Sequence, residues 1–139
     1  MGKTTVTFIE GMQFVGRGAS GHDVLMDASQ KVGGTDTAAR PLEVMLCALG
    51  GCSGMDVVSI LRKMRTEPLS LRIEITDERA ADYPKVFTKL HLTYRVTGAV
   101  PQDNLEKAID LSLSKYCPIV NSLAESVEIT SEGVVESDR

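Results

Sequence analysis

The sequence predicts an α+β fold, antiparallel sheets packed around a long central helix, and three observations carry that prediction. The stretch from Arg40 to Arg65 holds the longest apolar run and two of the three cysteines. Leu69, Leu71, Ile73 and Ile75 alternate with Ser70, Arg72, Glu74 and Thr76, the pattern of a strand buried on one face. Strand-like and helix-like segments are segregated, with no regular strand–helix alternation, which is the mark of an α+β chain. At 139 residues, with 42% apolar and 24% charged residues, the chain is expected to form one domain, 1–139, with a real core.

Taken in order, Thr4 to Ile9 is rich in β-branched residues, Glu10-Gly11 signals a turn, and Met12 to Val15 resumes a strand, so a hairpin is expected. Gly16 to Gly21 reads as a glycine-rich loop, Asp23 to Ala28 as a third strand, and Ser29 to Ala39 as a polar, flexible linker. Pro41 suits a first helical position, because its missing N–H would have no intrahelical partner there, and Glu43 then falls in the first turn. From Leu42 to Leu49 only Glu43 is polar, which predicts a helix start buried on all sides. Polar residues return from Ser53, and Arg62, Lys63 and Arg65 close the helix where its dipole favours cations. About 24 residues at about 1.5 Å each give roughly 36 Å of helix. Gly50 and Gly51 each weaken a helix interior by about 1 kcal/mol relative to Ala. They serve either close packing or a kink, or they let backbone and solvent approach Cys52.

Beyond the helix, Asp77 to Pro84 is a charged loop. Val86, Leu90, Leu92, Tyr94 and Val96 form the apolar face of a strand antiparallel to the one at Leu69. After Gly98, Leu105, Ala108, Ile109, Leu113 and Tyr116 recur at helical spacing. Cys117-Pro118 breaks that helix and starts a short one through Leu123, and Val127 to Thr130 is a last short strand.

Composition excludes several classes. A net charge of −4 and a pI near 5.2, with no Lys/Arg run, argue against nucleic-acid binding. The N-terminal stretch lacks an apolar core of signal-peptide length, and the central helix, broken by glycines and charges, reads as short of a membrane span. A cytoplasmic protein is expected. Three cysteines cannot all pair within one chain, and in a reducing compartment their chemistry is reactive or transient. Neither C-x-x-C nor H-x-x-x-H spacing occurs, so no metal site is expected. His91 falls on the polar face of its strand and His22 in the loop region. No phosphate-binding glycine motif precedes a helix and no serine nucleophile elbow is present, so no cofactor is expected and the thiols remain.

Cys47 lies about 7.5 Å and near 140° from Cys52 on a helix, facing away from it, and reads as inert core. Cys52 sits where the helix passes from buried to wet, a boundary that suits a reactive thiol as well as a small buried hydrophobe. Cys117 occupies an expected N-cap, where helix N–H groups can lower a thiol pKa below about 8.5; it can equally be a cap that happens to be cysteine.

The run Arg40-Pro41-Leu42-Glu43, then Ala48-Leu49-Gly50-Gly51-Cys52-Ser53 and Met55-Asp56-Val57, resembles the signature helix of the OsmC/Ohr family (osmotically inducible protein C-like), most closely its YhfA-like branch. Cys117-Pro118 with Asn121 and Leu123 resembles the family's second cysteine motif, 65 residues after Cys52. The resemblance implies a thiol peroxidase acting on organic hydroperoxides, regenerated by an external dithiol, in an intertwined homodimer with active sites at the subunit interface. By position it makes Cys52 the peroxide-attacking thiol, Cys117 the resolving thiol and Arg17 the loop arginine that activates Cys52. The chain departs from the hydroperoxide reductases at Leu42, where they carry a carboxylate that holds this arginine. Glu43 is adjacent but about 180° around the helix from Cys52. A non-catalytic small-molecule binder and a redox sensor are the alternative classes. A homodimer is expected from the residues too, since the strands before Ser29 are too few to cover the apolar start of the helix.

Overall fold

The computed structural model describes residues 2–136. They group into two compact units, divided between Cys47 and Ala48.

The first unit opens with a three-stranded antiparallel meander, β1 (Thr5–Phe8), β2 (Phe14–Arg17) and β3 (Asp23–Met26), in sequential order. Gly11 takes the left-handed conformation (φ 57°) that the first turn requires, and Phe8 packs at a tilt against Phe14 across it, the ring centroids 5.5 Å apart. The expected loop at Gly16 begins later, because Gly16 and Arg17 still belong to β2. The linker read as flexible is instead organised around the buried Asp27. Its carboxylate accepts from the backbone N–H groups of Ala28, Thr35 and Thr37 and from the hydroxyls of Thr35 and Thr37.

Helix α1 spans Pro41–Lys63, with Pro41 leading and Glu43 Oε1 accepting the Arg40 N–H at 2.9 Å, half of a capping box. Its end is a Schellman-type turn, with Arg65 at φ 60° and the Thr66 N–H bonded to the Leu61 carbonyl. The helix does not start in the core as expected. Leu42 and Cys47 are exposed, and the fully buried stripe is Leu49, Ser53, Val57 and Leu61, one residue per turn in the second half. Val44, Met45 and Leu46 are half-buried and Cys47 is exposed, so Cys47 is not the core residue that its surroundings suggested. At 23 residues α1 is also long and apolar enough to cross a membrane, with mean hydropathy 1.8 over an 18-residue window, contrary to the expectation that glycines and charges keep it short. The core helix of a soluble protein meets the same test.

The second unit is built on a sheet of β4 (Ser70–Arg79), β5 (Phe87–Thr97) and β6 (Glu128–Val135), in that order. Strands β4 and β5 are antiparallel as predicted. Strand β6 is longer than predicted and runs parallel to β5, so the sheet is mixed. The cause is the long connection between them, α2 (Gln102–Leu111), a wide turn over Ser112–Tyr116 and α3 (Pro118–Asn121), which returns the chain to the same end of the sheet. Leu90, Leu92, Tyr94 and Val96 are fully buried on one face of β5. Both long helices pack there. Gly50 and Gly54 let α1 approach β4, for a Cβ at these positions would stand 3.2 Å from Ile75 Cδ1 and 3.1 Å from Ile73 Cδ1. Gly133 likewise admits Leu105 and Ile109 of α2, each 2.9 Å from where its Cβ would be. The opposite face is polar. There His91 is half-buried and bonded to Thr130 at 2.6 Å, and Arg95 pairs with Glu74 and Glu136.

Candidate active site

In the second unit the fold brings Cys52 and Cys117 side by side, although they are 65 residues apart. Cys52 lies one residue before Ser53 of the buried stripe of α1 and is half-buried. Cys117 is fully buried at the N-cap of α3, where its sulfur accepts the Val120 N–H at 3.5 Å. Pro118, unable to donate from its nitrogen, suits the position that follows this cap. Asn121 secures the turn, donating to the carbonyls of Cys117 and Leu113 at 2.8 and 3.2 Å.

The electrostatics correct one expectation. An N-cap position suggested a lowered pKa for Cys117, but burial pushes this thiol up, and the neighbouring Cys52 pushes in the same direction. The Val120 and Ile119 N–H groups pull the other way and are outweighed. A four-residue helix has little dipole to offer, and burial is a tertiary property that the local motif does not reveal.

Behind the thiols runs a buried chain of hydroxyls that local motifs did not indicate. Ser53 Oγ is 2.6 Å from Tyr94 Oη and 2.8 Å from Ser112 Oγ, and Ser112 Oγ donates to Asp56 Oδ2 at 2.9 Å. An ionised carboxylate only accepts, so the direction of the whole chain is set: Tyr94 donates to Ser53, Ser53 to Ser112, and Ser112 to Asp56. Burial pushes the Tyr94 phenol up to about 12, against the opposing effect of its bond to Ser53, and keeps its proton in place.

Arg17 belongs to the first unit. There its Nε meets Asp23 Oδ1 at 2.6 Å, from the residue directly opposite on β3, and both side chains are exposed. The Asp23 carboxylate holds the Arg17 guanidinium above its ordinary pKa. Asp23 is a partner that sequence reading missed. The signal was available in the hairpin register, which pairs position 17 with position 23. Leu42, the expected departure from the hydroperoxide reductases, is exposed at the start of α1.

A fold with two cysteines brought together by a glycine-bearing helix and a Cys-Pro cap defines a class of thiol proteins, and comparison with known proteins identifies it. The family model for OsmC-like proteins matches residues 34–132, and the chain belongs to the OsmC/Ohr family. It is 41% identical over 126 residues to Protein YhfA of Escherichia coli (strain K12), covering 90% of this chain and 91% of that one. Among solved structures, a hypothetical protein from Aquifex aeolicus VF5 superposes with a TM-score of 0.87 at 24% identity, over 100% of this chain and 98% of that one. An organic hydroperoxide resistance protein from Elizabethkingia anophelis superposes with a TM-score of 0.70 at 15% identity, over 98% and 96% of the two chains. At these identities the two structures show a shared fold.

Proposed function

We propose that the protein is a thiol-dependent peroxidase that reduces organic hydroperoxides, with Cys52 attacking and Cys117 resolving. The observation that carries this reading is the placement of a half-buried thiol, reachable from solvent, against a buried one held at a helix cap. The Cys52 thiolate attacks the distal peroxide oxygen, the O–O bond breaks, and the alkoxide takes up a proton and leaves as the alcohol. Cys52 is then a sulfenic acid. Cys117 sulfur displaces its hydroxyl, which leaves as water with the Cys117 proton, and a disulfide forms. An external dithiol restores both thiols by exchange and is itself oxidised to a disulfide. Arg17, held by Asp23, is the cation assigned to the thiolate and the incoming peroxide, and a homodimer is the assembly in which the exposed start of α1 is covered. Membership in a family that includes proteins named for organic hydroperoxide resistance supports the substrate class.

The test is peroxide consumption with a dithiol. Cys52→Ser is expected to abolish it, whereas Cys117→Ser permits one oxidation that stops at a sulfenic acid or beyond. Turnover retained in Cys52→Ser would refute the assignment. Leu42 in the carboxylate position favours a second reading, a non-catalytic binder of small apolar or electrophilic molecules. That reading predicts a wild-type protein that leaves hydroperoxide unconsumed.

A further inference from the structure

Ser112 touches the machinery from two directions. Its hydroxyl is bound to Ser53 and Asp56 of α1, the residues one and four positions after Cys52. Its carbonyl accepts the Cys117 N–H at 2.7 Å across the wide turn. A single fully buried residue therefore ties the backbone of one thiol to the helix that carries the other. Hydrogen bonds in such a setting are strongly held, since a buried hydroxyl that loses its partner has no water to replace it.

We infer that Ser112 is a positioning residue, a clamp that fixes the approach of Cys117 to Cys52 and so sets how readily the two thiols join. This rests on the proposed pairing of these cysteines but concerns a different property, the effective concentration of one thiol at the other. Asp56 anchors the clamp by accepting a hydrogen bond from the Ser112 hydroxyl, and Ser53 supplies the second bond. Tyr94 lies beyond Ser53 and bonds it from the far end of the chain of hydroxyls. Small displacements of a reacting pair lower its rate steeply, so loosening this turn should be felt in disulfide formation before it is felt elsewhere.

The inference can be tested without hydroperoxide, by equilibrating the reduced protein with glutathione buffers of set thiol-to-disulfide ratio. Glutathione disulfide is cleaved, the Cys52–Cys117 bond forms, and two glutathione thiols leave with the two protons. Ser112→Ala should lower the equilibrium constant for this bond by about 10-fold or more, because a loosened turn lowers the effective concentration of one thiol at the other. Ser112→Thr, which keeps the hydroxyl, should recover most of it, and Tyr94→Phe should change it little. Val96→Ala, a core truncation away from the chain of hydroxyls, controls for lost stability. Should Ser112→Ala fail to fold, Asp56→Ala removes the anchor instead and should give the same loss. An unchanged constant in these variants, a loss no larger than that of Val96→Ala, or a wild-type protein that forms no such bond would overturn the clamp. A wild type that forms the bond yet ignores hydroperoxide would refute the peroxidase and leave the clamp standing.

Discussion

Arg17 and Asp23 face each other across the β2–β3 ladder, joined by a 2.6 Å contact between Nε and Oδ1. On the proposed reading Arg17 serves the reactive thiol; Leu42 offers it no carboxylate, and an acidic residue on the neighbouring strand holds it instead. Asp23→Asn should therefore lower peroxidase kcat/KM while leaving the melting temperature nearly unchanged, because an exposed pair adds little to stability. Arg17→Ala should lower kcat/KM further, by about 100-fold if the cation serves the transition state. Arg17→Lys should restore only part, since lysine keeps the charge but loses the planar fork. Equal rates in wild type and Arg17→Ala would remove Arg17 from the site.

Asp27 predicts a response to acid. Hydrogen bonds from the Thr37 side chain and backbone, with those from Ala28 and Thr35, hold its carboxyl far below the ordinary 3.8, outweighing the opposite effect of burial. A carboxyl lowered in the folded state contributes stability that is present above the ordinary value and lost as pH falls through the lowered one. Melting temperatures should drop as pH falls below about 4, and Asp27→Asn should flatten that dependence while lowering stability at neutral pH. A variant as acid-sensitive as the wild type would show that other carboxylates dominate.

Tyr94 predicts the opposite limb. Its pKa is raised from 10.0 to about 12 in the folded protein, so its contribution is full below pH 10 and disappears as pH rises toward 12. Absorbance of tyrosinate should show one phenol titrating late, and Tyr94→Phe should abolish that late phase. Loss of the late phase only on unfolding, in both proteins alike, would assign it elsewhere.

Two glycines of α1 should respond in opposite senses to alanine. A Cβ at Gly51 meets nothing within 4 Å, so Gly51→Ala should stabilise the isolated chain by up to about 1 kcal/mol. At Gly54 the new Cβ would crowd Ile73, and overpacking there should destabilise by about 1–3 kcal/mol. Light scattering on Gly51→Ala adds a separate reading. If a second copy covers the start of α1, dissociation of a dimer at unchanged chain stability would place Gly51 in the contact.

What the sequence made legible was whatever is encoded locally. Period two gave the alternation of β4 and the buried face of β5, and Pro41 with the terminal cations gave α1 to within two residues at either end. The last strand was expected to span only Val127 to Thr130, short of Ser131-Glu132-Gly133. Pairing with Leu92, Thr93 and Tyr94 carries β6 through it, and that pairing depends on a crossover no local pattern reveals. Asp27 was read as the end of a strand and Thr35 and Thr37 as part of a flexible polar linker, and only their convergence on one carboxylate orders the segment. The chain of Tyr94, Ser53, Ser112 and Asp56 is drawn from three separate elements, so nothing near any one of them announced it. The cysteine positions were evident from their motifs, but the pKa of Cys117 depended on burial contributed by distant residues.

The wide turn between α2 and α3 closes through a bond from Cys117 to the fifth residue before it, where an ordinary helix would use the fourth. It holds one residue more than a regular helix needs, and each residue is worth about 100° of rotation. Deleting a single residue between Leu113 and Tyr116 would give a more regular helix and swing the second thiol about a quarter of a turn away from the first. The irregularity is thus a spacer in the phase of the helix, and it makes this short stretch intolerant of changes in length even where it tolerates changes in side chain.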